Sequence, residues 1–162
     1  MAANGKASKQ IAITGSYQVL TVNKEWNVVT IEEKSTQGAW KTIWNYERGL
    51  IASKVPAERA CFLSRMDRKE MPSMDALARL AEENRILQGQ GQPKKQMTFI
   101  IKRTIRDVKS YGLDIFSMCR GLTTYIAYRD HRPQYRPSQE SCTRLDVLHI
   151  LGLNYCYSNN RA

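Results

Sequence analysis

Four cysteines, Cys61, Cys119, Cys142 and Cys156, narrow the folds open to this chain more than any other feature. Cysteine spacing can signal a metal site, a nucleophile or cross-links. No CxxC occurs, and His131 and His149 are the only imidazoles, so the spacing of a tetrahedral zinc site is absent. A catalytic thiol needs a histidine with an orienting partner, and neither histidine sits in such a motif. An even count in a small, strand-rich chain points to disulfides. The residues by themselves leave three pairings open. If Cys142 and Cys156 pair, the chain must reverse between them, because paired Cα atoms lie within about 7 Å. Gly152 is one candidate bend.

A chain of 162 residues fits one domain with a real core. Val19 to Val22 and then Val29 and Ile31 alternate in the strand manner around a polar break at Asn23 to Glu25. Ala39–Tyr46, Leu50–Val55 and Ala60–Met66 read as further short strands. Ser73 is placed to cap a helix whose Met74, Leu77, Leu80, Ala81 and Leu87 repeat at helical spacing, with Gly89 ending it. Met97, Phe99 and Ile101 alternate again. A second helix fits Asp107–Arg120, with Cys119 on its apolar face. Thr123–Tyr128 then reads as a strand, His131–Gln139 as a proline-rich basic loop, and Cys142–Tyr157 as a closing apolar segment. Strands followed by helices alternating with strands predict an α+β domain with one sheet and helices packed on it. The expected organisation is a flexible lead-in over residues 1–15, a hairpin over 16–36, a core over 37–128, and a basic loop with a β segment over 129–162.

These residues resemble a BRICHOS domain, and within that group the gastrokines. The resemblance runs from about Val19 to Cys156. It rests on Thr42 to Gly49 (TIWNYERG), Ala60 to Leu63 (ACFL) with Met66 and Asp67, Met71 to Ser73 (MPS), Leu87 to Gly89 (LQG), and Met118 to Gly121 (MCRG) leading to Thr124 and Tyr125. It implies a disulfide-stapled central sheet with one helix on each face. It also implies the pairing Cys61 with Cys119, and Cys142 with Cys156. In the chain-entropy treatment such loops contribute on the order of 4 and 3 kcal/mol. The resemblance further implies secretion and a chaperone role toward β-prone, amyloid-forming segments, with protection of the gastric mucosa. One position departs from the family: its hallmark aspartate corresponds to Asn45. An amide keeps hydrogen bonding but cannot titrate, so a pH response resting on that carboxyl is expected to be lost.

Apolar strand residues Ile51, Phe62, Leu63, Phe99 and Ile101 are the candidates for contacting an extended peptide. The run Val147–Leu153 is itself β-prone and uncharged. The net charge of +10 predicts association with polyanions. Lys94, Lys95, Lys102, Arg103 and Arg106, with Arg129, Arg132 and Arg136 beside Tyr128 and Tyr135, form the candidate patch for acidic mucin or sulfated glycans. Nucleic acid is not expected, since disulfides imply an extracellular compartment. No apolar run reaches the roughly 18 residues of a membrane span. No nucleophile elbow, phosphate loop or dinucleotide fingerprint is visible, so no enzyme, cofactor or metal is expected. A homo-oligomer fits this reading as well as a monomer does.

Overall fold

The computed structural model describes residues 6–13, 16–35, 38–87, 95–131 and 142–157. Alternating apolar residues build six consecutive antiparallel strands: β1 (Lys6–Ile13), β2 (Ser16–Asn23), β3 (Val28–Ser35), β4 (Gly38–Asn45), β5 (Leu50–Val55) and β6 (Ala60–Arg65). Helix α1 (Met74–Leu87) follows, then β7 (Lys95–Ile105), a 3-10 turn over Val108–Tyr111, α2 (Leu113–Cys119), β8 (Thr123–Asp130), β9 (Cys142–Val147) and β10 (Leu151–Tyr157). All ten strands join one sheet in the order β1-β2-β3-β4-β5-β6-β8-β7-β10-β9. Only β6 with β8 and β7 with β10 run parallel.

The expectation of a simple central sheet is corrected here: the sheet is wide and it curls. Gln18 of β2 is buried, and its Nε2 donates to the Asp146 carbonyl at 2.8 Å while its Oε1 accepts the Leu148 N–H at 2.7 Å. One residue near the first edge can reach the turn beside the last strand only if the ends of the sheet approach each other. The inward side chains inside the curl make the main core. They include Leu20, Ile31, Trp44, Ile51, Phe62, Met97, Phe99, Leu153 and Tyr155. Helix α1 contributes Met74, Leu77 and Ala81 to this side, and the Ser73 hydroxyl accepts the Ala76 N–H at its start. Burying a side chain such as Leu77 contributes about 1.5–3 kcal/mol. The opposite face carries a smaller core in which Ile43, Ala52, Cys61 and Leu63 meet Ile115, Met118 and Cys119 of α2.

A chain of hydrogen-bonded polar groups also crosses the interior. Trp44 Nε1 donates to Thr42, whose hydroxyl lies 2.9 Å from that of Ser53. The Ser53 hydroxyl in turn lies 2.9 Å from the phenol of Tyr155 on β10. The Tyr155 ring stacks between Phe62 at 4.8 Å and Phe99 at 5.3 Å.

Several expectations shift. The lead-in holds β1, paired along its length with β2. The second helix is interrupted at Gly112, whose φ of +126° is a glycine conformation and whose added Cβ would meet Asp114 Oδ1 at 2.8 Å. The reversal between Cys142 and Cys156 is made at Leu148 and His149, both at positive φ, while Gly152 lies within β10 against Gln96. Leu148 holds this conformation because its side chain is buried and its N–H is bonded to Gln18. Gly89, most of the Gly89–Lys95 linker and residues 132–141 of the basic loop lie outside the described residues.

Candidate functional site

Asn45 is the last residue of β4, and the chain turns immediately after it. Its Oδ1 accepts the Arg48 N–H at 3.0 Å and its backbone carbonyl accepts that of Gly49, so the residue closes the β4–β5 turn. Its Nδ2 donates to Asp114 Oδ2 at 3.2 Å, linking the turn to the first turn of α2. The other Asp114 oxygen accepts the Ile115 N–H at 2.8 Å. Asn45 is buried, so every polar atom here needs a partner. The amide supplies both a donor and an acceptor. An ionised carboxylate supplies acceptors only, and would present one to Asp114.

Beside this pair opens a cavity of about 490 Å³ lined by Trp26, Val28, Asn45, Glu47, Arg48, Gly112, Leu113 and Asp114. Trp26, at the tip of the β2–β3 hairpin, is 64% exposed, and Leu113 at the start of α2 is 69% exposed. The tip is held in place, since Trp26 N–H bonds to Asn23 Oδ1 and Tyr46 N–H bonds to the Asn27 carbonyl. Trp26 carries no signal in the sequence because it falls in a polar stretch, and Leu113 carries none because it is out of phase with the apolar spacing of Val108, Tyr111, Ile115 and Phe116.

The five apolar candidates do not gather into an exposed surface. Ile51, Phe62, Phe99 and Ile101 line the interior of the curl, while Leu63 points the other way, under α2. All five are buried. Strand alternation explains the split, because the neighbours Phe62 and Leu63 must face opposite sides. The run Val147–Leu153 likewise forms buried hairpin arms and the turn between them. Of the basic candidates, Lys95, Lys102, Arg103 and Arg106 are exposed. Lys94, Arg132, Tyr135 and Arg136 lie outside the described residues. Lys95 opens β7 and Lys102 lies seven residues on, about 23 Å along a strand, so the four do not make one compact patch. Arg129 is engaged by Glu70.

Cys61 is joined to Cys119 and Cys142 to Cys156. The first bond ties β6 to the end of α2. The second joins directly opposite residues of β9 and β10. No thiol is left for chemistry. Asp67, Glu70 and His131 bring one donor atom each within 4.8 Å of one another. Glu70 is held by Arg129, and His131 Nε2 lies 4.0 Å from Asp67, so this group reads as an ion-pair cluster at the end of β8.

The two staples and a helix on each face are what the resemblance implied, and the BRICHOS domain model matches residues 36–126, more than half of the chain. The chain belongs to the BRICHOS domain family. The matched span of this BRICHOS protein includes β4 to β6, α1, β7 and α2. The wider chain is similar to gastrokine-1 of Homo sapiens, 29% identical over 143 residues that cover 86% of this chain and 77% of the relative. It is similar to gastrokine-1 of Mus musculus at 28% over 140 residues, covering 86% and 76%. Gastrokine-3 of Mus musculus is 28% identical over 141 residues, covering 86% and 73%. No solved structure matches the chain. Among the described residues, no helix is long and apolar enough to cross a membrane.

Proposed function

We propose that this BRICHOS protein is a secreted, gastrokine-like, non-enzymatic chaperone that binds extended β-prone segments and holds them back from amyloid and amorphous aggregation. The observation that carries the reading is the pair of sheet ends: among the described residues, β1 pairs only with β2, and β9 only with β10. An edge strand presents backbone donors and acceptors along one side, which is what an extended peptide needs in order to add as a further strand. The buried positions Ile51, Phe62, Phe99 and Ile101 then act as the rigid backing of the sheet rather than as direct contacts. Two disulfides and no free thiol support an oxidising, extracellular setting. The gastrokine relatives support a protective role at the gastric mucosa. Fibrillation of several unrelated amyloid peptides, followed with equimolar protein present, is expected to show longer lag phases. Unchanged kinetics across the set would end the chaperone reading.

A second reading, binding of acidic mucin or sulfated glycans, draws on exposed Lys102, Arg103 and Arg106 at the far end of β7, in a chain of net charge +10. Retention on heparin that falls steeply with salt is its signature.

A further inference from the structure

We infer that the cavity beside Asn45 and Asp114 is a binding site for a neutral sugar ring, stacked on Trp26 and held at its hydroxyls by Arg48, Asn45, Glu47 and Asp114. The inference is independent of the edge-strand reading and of the basic residues on β7.

The two most exposed large apolar side chains among the described residues, Trp26 and Leu113, line one and the same cavity. An indole 64% exposed, beside a second exposed apolar side chain over a concave site with a polar floor, offers a ligand an apolar face to stack on. The site is also pre-formed. Hydrogen bonds from Trp26 N–H and to the Asn27 carbonyl fix the hairpin tip, and Gly112 admits backbone where a Cβ would strike Asp114. Little ordering cost therefore falls on a ligand that enters.

The lining chemistry selects the class of ligand. Glu47 and Asp114 bring carboxylates, and Arg48 brings a guanidinium that has no ion-pair partner within 4 Å among the described residues. A ligand of either net charge meets a like charge in so small a space. An uncharged molecule whose groups each donate and accept meets none. Asn45 adds an amide already oriented by Arg48 and Asp114. Trp26, Leu113 and Val28 in turn ask for a flat apolar face. A pyranose offers hydroxyls around its rim and C–H bonds on its face, and a volume of about 490 Å³ holds such a ring with part of a neighbour.

Trp40 and Trp44 are buried, so Trp26 is the one exposed indole among the three tryptophans. Its fluorescence reports the site directly. Titration of the intact protein with methyl glycosides of galactose, glucose, fucose and N-acetylglucosamine is expected to shift Trp26 emission to the blue for at least one of them. The expected Kd is on the order of millimolar, the range for a single small ring. Trp26→Ala, at an exposed hairpin tip where folding is checked by circular dichroism, is expected to weaken binding by about tenfold or more, as read by ligand-observed NMR. Glu47→Gln, which leaves the indole in place, gives a second and smaller loss. Binding is expected to persist from about 0.1 M to about 1 M salt, over which the screening length falls from about 10 Å to about 3 Å. Three results overturn the inference: no response to any of the four glycosides, equal binding by Trp26→Ala, or binding confined to acidic sugars and abolished by salt.

Discussion

Position 45 sits where a turn, a strand end and the start of α2 meet, so its chemistry is set by two neighbours at once. The amide gives a hydrogen to Asp114 and takes one from the Arg48 N–H. Asn45→Asp replaces that donor with a second carboxyl facing Asp114, and two carboxyls in contact cannot both ionise cheaply. One carboxyl in the folded variant then keeps its proton above the unfolded value of about 3.9, while the unfolded chain releases it. Folded protein binds more protons in that window, so the variant loses stability as pH rises from about 4 toward 7, by about 1–3 kcal/mol relative to wild type. Urea midpoints of both proteins across this range check the prediction, and parallel profiles would contradict it. Asn45 itself was legible in the sequence, through the family position it occupies. Its partner was not, because Asp114 lies 69 residues away and no local pattern ties the two.

At the scale of elements, the strands from β2 to β8 and both helical regions followed from periodicity and capping, and the misses share a cause. Apolar spacing of Val108, Tyr111 and Ile115 on either side predicts a helix running through Gly112. The backbone breaks there at the positive φ of Gly112, and Asp114, two residues on, accepts from Asn45. On residue type Gly152 is one candidate for the bend, whereas Leu148 and His149 adopt it because Gln18 and the core compensate for the strained backbone. The staples also act at this level. Replacing Cys61 and Cys119 together by serine frees a loop of 58 residues that holds α2 on the sheet, and is expected to cost on the order of 4 kcal/mol. The same change at Cys142 and Cys156 opens a loop of 14 residues within one hairpin, and is expected to cost about 3 kcal/mol. Chemical unfolding of the two double variants measures the order. A larger loss from the shorter loop would show that strand packing, not chain entropy, governs the difference.

The whole molecule is held by contacts that run across the curl. Tyr155 brings its hydroxyl from β10 to Ser53 on β5, and burial, opposed by that hydrogen bond, pushes its phenol well above the ordinary value of 10.0. Above that pH the unfolded chain gives up this proton while the folded protein keeps it, so stability present in full below pH 10 is lost as pH rises further. Tyrosinate absorbance is expected to show Tyr155 ionising together with alkaline unfolding, whereas independent titration in a folded protein would refute its burial. The amino-acid sequence was enough to settle a single domain of sheet and two helical regions, the positions of most strands and α1, the disulfide chemistry and the family, because each rests on local periodicity or on residue types in fixed order; the ten-stranded width of the sheet was not among these. It could not settle which way the apolar strand residues face together, that Trp26 and Leu113 share a cavity, or that the sheet curls until Gln18 meets the β9–β10 turn. Those depend on strand order and twist, which bring together residues as far apart as Gln18 and Leu148, and only the packed chain decides them.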